Sequence, residues 1–296
     1  MIRTGVLLIF LFFFENSIIA QPYVDIFSIR HHESPNQPYL DNDSSSLSIS
    51  QTRISTFLPF VLKNEDAIIF GSFYERIRLK TRKTGLNTFD LHSAILQIGY
   101  GKKWNKQWNI LLLFLPKISS DWNGISSEDL QIGGIVIATK KINKKFRYKF
   151  GLYYNREYFG NLFVPVLGLD WRINKKLNFF GLLPRGLNLE YKALKTIHFG
   201  LAHETITTTY RLNGDFNNNY IRDGDRFWAY YMFKFYFNYY PVKNIVLSAE
   251  FGHTAFRSYQ EYWRGTKDKV NEGPFQQSKN APFINLLLAY RIRFDN

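Results

Sequence analysis

The fold is decided at the end of the chain, in the stretch NLLLAYRIRF at residues 285–294. Every second residue from Leu286 to Phe294 is apolar, whereas the positions between them include Arg291 and Arg293. A period of two predicts a β-strand that has one apolar face and one polar face. The last segment of the chain is therefore a strand with an apolar environment on one side only.

The same alternation recurs upstream, as in FRYKFGLYYN at residues 146–155, and predicts an all-β chain. A soluble secreted β-sandwich would bury the apolar faces in a core, and an outer-membrane barrel would turn them to lipid. The predicted strands run to about 10–15 residues, longer than the 5–6 of soluble sheets and sufficient to cross a bilayer. Aromatic residues crowd strand ends, as at 227–240. These features favour a single antiparallel transmembrane β-barrel.

The N-terminus has the features of an export signal. Arg3 precedes an unbroken apolar run from Val6 to Phe14, and Ala20 is a small residue at the predicted cut. A helix of roughly nine residues rises only ~14 Å, too little for the ~30 Å hydrocarbon core, which excludes a membrane anchor. We therefore expect a cleaved signal peptide at 1–20 and an outer-membrane β-barrel domain at 21–296.

Short Asn-Lys turns alternate with longer loops and predict about 14 strands, an even number as in bacterial barrels. Short turns face the periplasm in such barrels, and long loops face outward. The predicted long loops are 119–127, 213–224 and 258–282. The predicted strands lie near 23–30, 47–62, 67–80, 88–103, 107–118, 128–141, 145–157, 162–173, 176–184, 187–193, 196–212, 225–240, 244–257 and 283–294. If the two short strands around Pro184 merge, the alternative number is about 12.

The order of these segments resembles an uncharacterised outer-membrane β-barrel family of Bacteroidetes-type Gram-negative bacteria. The resemblance rests on the early strand at 23–30, the Asn-Lys-Lys turns, FVPVLGLDWRINKKLNFFGLLPRGLNLEY at 163–191, and LLLAYRIRF at 286–294. It covers most of the chain after residue 21. It implies the barrel fold and carries no assigned activity, cofactor or site residue.

Few residues have the spacing of a catalytic or metal site. The chain has no Cys, and none of its six His residues forms an HExxH motif. The adjacent His31 and His32 should point to opposite faces of a strand. The remaining His residues are His92, His198, His203 and His253. We expect no metal site and no cofactor.

The 213–225 loop begins like an EF-hand, because Asp215, Asn217 and Asn219 alternate and Asp223 and Asp225 follow. The glycine that the motif requires at its sixth position is a tyrosine here, and its final glutamate is an arginine. The pattern favours a solvated loop over a calcium site.

A lipid-modifying barrel enzyme would need a hydroxyl nucleophile beside a histidine. Two groups supply these residue types: His203 with Glu204, Thr205 and Thr207, and His253 with Glu250 and Ser248. Such combinations are common by chance, so catalysis remains the less favoured hypothesis.

The formal net charge is +14, and much of it lies in the short turns. These lysines are Lys102, Lys103, Lys106, Lys140, Lys141, Lys144, Lys145, Lys175, Lys176, Lys195 and Lys243. A solvated rim is the favoured interpretation, although such a rim can also bind anionic lipid headgroups or attract anions toward a pore. A nucleic-acid-binding protein would instead have one continuous basic patch and no secretion signal. The lumen is predicted to carry Arg147, Lys149, Arg172, Lys234, Arg291 and Arg293 against Asp170, Glu190, Glu204 and Glu250. Its periplasmic half would then favour anions, unless the charges pair and seal it.

The leading functional hypothesis is a porin-like conduit for small solutes in the outer membrane. Its expected partners are outer-membrane lipid and, during biogenesis, the barrel assembly machinery. The alternatives are the lipid-modifying enzyme and a structural or adhesion barrel that acts through the 258–282 loop.

Overall fold

Fourteen antiparallel strands close into one barrel, which confirms the predicted fold. The computed structural model describes residues 22–39, 46–82, 86–213, 220–223, 230–256, 258–264, 270–272 and 276–294. With all strands numbered in chain order, the wall consists of β1 (Tyr23–Pro38), β2 (Ser46–Val61), β3 (Ala67–Arg82), β4 (Leu86–Lys103), β5 (Trp108–Ser120), β6 (Leu130–Lys141), β7 (Phe146–Glu157), β8 (Gly160–Arg172), β9 (Leu177–Leu183), β10 (Gly186–Lys192), β11 (Ile197–Ile206), β14 (Tyr230–Val242), β15 (Ile245–Ala255) and β19 (Pro282–Arg293). The first and last strands pair, with Tyr23 opposite Arg293, and close the barrel.

Five shorter strands lie in the two longest connections. They are β12 (Thr208–Arg211), β13 (Tyr220–Asp223), β16 (Ser258–Arg264), β17 (Val270–Glu272) and β18 (Gln276–Gln277). Strand β12 pairs with β13, β13 with β16, and β16 with β17 and β18, so the connections form one small sheet. A 3-10 turn, Ser127–Asp129, precedes β6. Among the described residues, no helix is both long and apolar enough to cross a membrane.

Two boundaries differ from those predicted, and one open alternative is settled. The strand expected at 196–212 ends at Ile206, because the chain then turns into the lumen as β12. The first strand is longer than expected and reaches Pro38. The short strands β9 and β10 remain separate, so the alternative of 12 strands is wrong.

The alternation in β19 separates the outside of the barrel from its lumen. Leu286 and Leu288 are 54% and 43% exposed, whereas the alternate residues Leu287, Ala289 and Arg291 are at most 6% exposed. The exposed set on the other strands is likewise dominated by large apolar side chains. An apolar exterior around a closed antiparallel sheet satisfies the backbone in lipid, so the strands span a membrane.

Three of the short turns share one hydrogen-bond pattern, which accounts for the repeated Asn-Lys sequence. The side-chain oxygens of Asn105, Asn143 and Asn174 each accept from the backbone N–H groups two and three residues later. The distances are 2.7–2.8 Å and 2.9 Å respectively. This Asx geometry reverses the chain tightly and leaves the following lysines in solvent. All three turns lie at the end of the barrel that we call the short-turn end.

A fourth turn at this end is fixed by a carboxylate. Asp66 accepts hydrogen bonds from Tyr100 Oη at 2.5 Å, Lys102 Nζ at 2.9 Å and the Lys103 backbone N–H at 2.9 Å. The bond from Tyr100 lowers the pKa of Asp66 most, burial opposes it, and the lysine contacts bring the pKa to about 2. The carboxylate is therefore ionised above pH ~4 and joins the β2–β3 turn to β4.

Candidate functional site in the barrel lumen

Six ionisable side chains meet in the middle of the lumen. We call them the central charge cluster, and they are Arg30, Arg53, Glu75, Glu204, Lys234 and Glu250. Three are cations and three are carboxylates, so the cluster is formally neutral. Burial without such pairing would be costly for each charge.

Each carboxylate of the central charge cluster has more than one partner. Glu250 Oε2 lies 2.9 Å from Arg30 Nη1 and 2.8 Å from Lys234 Nζ. Lys234 also reaches Glu204 at 3.1 Å, and Arg53 Nη1 reaches the other oxygen of Glu204 at 3.1 Å. The side-chain pairs therefore form a chain and not isolated bridges.

The cluster crosses the lumen from one side of the barrel to the other. Arg53 lies on β2 and Glu204 on β11, and β1, β19, β15 and β14 separate these strands along the wall. Arg53 Nε also binds Glu75 Oε2 on β3 at 2.5 Å. The chain of ion pairs thus joins the two ends of this part of the wall, and β3–β10 enclose the rest of the lumen.

A second group of ion pairs fills the lumen at the short-turn end. Arg291 binds Asp25 through Nε at 2.6 Å and Nη2 at 2.9 Å, and its guanidinium lies 3.7 Å from the Tyr23 ring centre. Arg293 Nη2 binds Glu190 Oε1 at 2.5 Å. The sequence left open whether luminal arginines pair with carboxylates or make the lumen favour anions, and at this end they are paired.

A segment from the β11–β14 connection occupies the lumen at the opposite, long-loop end. We call residues 208–212 the plug segment. Its Thr208 accepts from Lys117 Nζ on β5 at 3.1 Å, and its Tyr210 Oη donates to Glu75 on β3 at 2.6 Å. Because β3 and β5 are the two neighbours of β4, the segment lies against the inner face of this part of the wall. One pair of residues, Arg211 opposite Ser120, joins it to the wall by backbone pairing.

The middle of the plug segment has no exposed surface. Thr209 Oγ1 donates to Glu157, accepts from Gln131 Nε2 at 3.3 Å and accepts from the Tyr158 backbone N–H at 3.3 Å. The ring of Tyr210 joins an apolar cluster on the inside of β2–β4. This cluster consists of Tyr39, Leu47, Ile49, Ile77, Leu79, Phe89, Leu91, Tyr210 and Leu212. The plug segment therefore has a polar side against β5–β7 and an apolar side against β2–β4.

The remaining part of the lumen has an apolar wall. Leu113, Ile135, Tyr153 and Val164 are paired in succession across β5–β8 and face inward. In the adjacent row, the inward residues are Leu111, Ile137, Gly151 and Val166. Most of these side chains are half-buried and belong to none of the packed clusters among the described residues. We call these eight residues the apolar wall; they border open space and not a solid core.

The first predicted catalytic group is not assembled. His203 faces the exterior beside Leu201, whereas Glu204 faces the lumen in the central charge cluster. Thr205 Oγ1 donates to the Pro184 carbonyl at 2.8 Å and not to the imidazole. These side chains therefore cannot act as nucleophile, base and orienting carboxylate together.

The second predicted group is divided in the same way. Ser248 and Glu250 are buried on the lumen side of β15, and His253 is exposed on the outer side, with Nδ1 3.0 Å from the Thr254 carbonyl oxygen. Within the described ranges, no group of three or more His, Asp or Glu side chains could hold a metal ion.

The adjacent histidines confirm the predicted division between faces. His31 is exposed and its Nδ1 lies 2.9 Å from Thr52 Oγ1, whereas His32 is buried and its Nδ1 lies 2.6 Å from Asn285 Oδ1. The calcium question stays a prediction, because Asp215, Asn217, Asn219 and Asp225 lie outside the described residues.

Sequence reasoning missed the plug segment and half of the central charge cluster. The sequence of Thr208–Arg211 is consistent with a continuation of β11, and it contains no residue that predicts a turn into the lumen. Arg53 and Glu75 stand in ordinary strand positions, and their partners come from distant strands. One signal was available. Glu75 occupies an inward-facing position of β3, whereas Arg76 and Arg78 occupy outward-facing positions of the same strand.

The comparisons with known proteins concern the fold and the family. The structure is similar to the NanC porin (12% identity, TM-score 0.40, covering 90% of this chain and 100% of NanC). It is similar to the P. putida toluene transporter TodX (9%, 0.39, 94% and 93%) and to OmpT, an outer membrane protein of Vibrio cholerae (8%, 0.39, 93% and 99%). No curated protein matches the sequence. The family model described as "Domain of unknown function (DUF6268)" matches residues 63–291, and the chain belongs to this family.

Proposed function

We propose that this chain is an outer-membrane conduit for small solutes, exported with a cleaved signal peptide and closed in the described state by the plug segment. The observation that carries the proposal is how the plug is held. Side chains and one backbone pair, Arg211 with Ser120, join the plug segment to the wall. The segment can therefore leave the lumen while the wall strands stay paired with one another. A purely structural barrel has no need of a separable segment.

The lining supports a particular class of solute. The apolar wall on β5–β8 lies across the barrel from β14, β15 and β1, which carry Lys234, Glu250 and Arg30 of the central charge cluster. Further along the same wall, Lys149 Nζ lies 2.8 Å from Asp170 Oδ1, so polar groups resume near the short-turn end. A solute with an apolar body and a polar group would be in contact with both kinds of surface. We therefore infer amphipathic solutes and not simple ions.

Swelling of proteoliposomes tests this proposal. Purified protein is compared in isotonic phenyl glucoside and in methyl glucoside, which share the sugar and the absence of charge but differ in their apolar group. We expect faster swelling in phenyl glucoside, and replacement of Ile135 by Asn in the apolar wall should reduce the difference. Equal rates, or faster entry of methyl glucoside, would contradict the apolar pathway. No swelling by the wild type or by a variant that lacks the plug segment would support the structural-barrel alternative.

The orientation predicts which end is reached from outside the cell. Because the chain has no Cys, single cysteines can be introduced at Asn280, on the long-loop side, and Lys175, in a short turn. Both native residues are exposed. We expect a membrane-impermeant maleimide to label the Asn280→Cys variant on intact cells and the Lys175→Cys variant only after lysis. Labelling of Lys175→Cys on intact cells would reverse the orientation.

A further inference from the structure

The apolar exterior of β1–β4 ends along one hydrogen-bonded row. Ile29, Ile54, Tyr74 and Ala94 pair in succession across these strands and form its last apolar row. The next outward-facing row, toward the long-loop end, is polar. It consists of His31, Thr52, Arg76 and His92. A change of polarity at the same register on four strands marks the boundary of the membrane.

Beyond this boundary the outer face of the sheet is polar and the inner face is apolar. The outer face carries Ser48, Ser50 and Lys80, and the inner face carries apolar residues that pack on Tyr210 and Leu212. Residues 75–82 of β3 extend ~26 Å beyond Tyr74, or ~20 Å in height for a tilted strand. An apolar inside and a polar outside are typical of a sheet in water. This part of β1–β4 therefore stands above the lipid.

Three cations lie in one column at the base of this extension. Arg76, Arg78 and Lys80 occupy alternate positions of β3 on its outer face, about 7 Å apart. Asp90 accepts from Arg76 Nε at 3.1 Å and from Arg78 Nε at 3.3 Å, so one carboxylate orients both guanidinium groups. Burial acts to raise the pKa of Asp90, but the arginine hydrogen bonds outweigh it and lower the pKa. Asp90 is therefore ionised at neutral pH.

Aromatic side chains occupy the same boundary. Tyr74 Oη lies 2.9 Å from His92 Nδ1, and the His92 and Trp122 rings stack with their centres 4.6 Å apart. Aromatic rings concentrate at the depth of the lipid headgroups. The column of cations thus begins at headgroup level. Four strands further along the wall, the outer face of β7 carries one exposed cation near the long-loop end, Arg156.

We propose that Arg76, Arg78 and Lys80 bind the phosphate groups of lipid headgroups in the outer leaflet. Guanidinium groups match phosphate oxygens in a planar, bidentate manner, and an ammonium adds a point charge. The column lies immediately above the last apolar row, so a lipid whose chains contact Ile54 and Tyr74 has its headgroup beside it. The surface lies on one strand, β3, and would hold a lipid at a fixed position there. The assignment uses the orientation proposed above but does not depend on solute passage.

Binding to a phosphorylated glycolipid tests this inference. The probe is bisphosphorylated lipid A, and the comparison is the same lipid after removal of its phosphates, each titrated into the folded barrel in detergent. We expect about tenfold tighter binding of the phosphorylated form, equivalent to ~1.4 kcal/mol. The variant with Arg76→Gln, Arg78→Gln and Lys80→Gln should lose this preference. A control variant that removes the same charge at the other end, with Lys144→Gln, Lys145→Gln and Lys175→Gln, should keep it.

Several results would overturn the proposal. One is equal binding of the two lipids, and another is an unchanged preference for the phosphorylated lipid in the Arg76, Arg78 and Lys80 triple variant. A third is an equal loss of this preference in the control variant, which would indicate that binding depends on net charge alone. Stabilisation by millimolar inorganic phosphate alone would indicate a free-phosphate site instead. If the triple variant fails the heat-modifiability test for folding, Lys80→Gln alone decides, because it leaves both arginines on Asp90. A weaker preference in that variant would then support the proposal, and an unchanged preference would overturn it.

Discussion

Replacing Val136 with arginine should prevent barrel assembly, whereas the same replacement at the next residue, Ile137, should permit it. Val136 is 41% exposed on the outer face of β6 and pairs with Leu112 and Leu152, which are also exposed. A charge at the bilayer midplane on this face costs about 2–4 kcal/mol. Ile137 faces the lumen opposite Gly151, where an arginine can be hydrated or can meet a carboxylate.

Heat-modifiability on gels after refolding, together with the amount of each variant in isolated outer membranes, measures this difference. Leu288→Arg, at an exposed position of β19, should behave like Val136→Arg. Because Val136 and Ile137 are adjacent, β-branched and apolar, they match in chemistry and differ only in the face they occupy. If both variants assemble, or if neither does, the assignment of faces in β6 is wrong.

Replacing Tyr210 with phenylalanine should open the lumen. The substitution keeps the ring in its apolar cluster and removes the hydrogen bond from Oη to Glu75. A hydrogen bond to a charged group contributes about 1.5–3 kcal/mol, so the ratio of open to closed states should rise about 10- to 100-fold. Planar-bilayer recordings of the purified protein would show this as an increased open probability.

Tyr154→Phe provides the matched control for Tyr210→Phe. Tyr154 Oη donates to Asn161 at 3.0 Å on the outer surface, away from the plug segment. This variant should keep the wild-type open probability. A Tyr210→Phe variant that matches wild type, together with no conductance after deletion of the plug segment, would show that the barrel does not conduct. The proposal of a plugged conduit would then fail.

Period-two alternation was sufficient for the architecture because membrane strands repeat one simple rule. It predicted the closed barrel, the separate strands β9 and β10, and the opposite faces of His31 and His32. The Asn-Lys turns added direction, since one local hydrogen-bond pattern recurs in each. These features depend on neighbours in sequence, and sequence shows them directly.

The lumen could not be predicted in the same way. The segment GGIVIA at 133–138 is apolar at consecutive positions, so alternation cannot say which residues face inward. The plug segment is directed inward by contacts with Lys117, Glu157 and Glu75, which come from three other strands. Charge counting predicted a net positive periplasmic half of the lumen and left open whether its charges pair, because it could not reveal the partners across the barrel. Contacts between residues far apart in sequence determine the position of the plug segment and the pairing of the luminal charges.

The sharing of carboxylates in the central charge cluster restricts how this family can diverge. Glu250 contacts Arg30 and Lys234, and Glu204 contacts Lys234 and Arg53, so neutral replacement of any one member leaves the cluster with one uncompensated charge. Removal of one partner from a buried pair costs about 3–5 kcal/mol. A lineage that loses one member passes through a less stable barrel unless a second substitution removes the excess charge. Evolutionary change here should therefore proceed by compensated pairs, and substitutions at strands far apart in sequence should be inherited together.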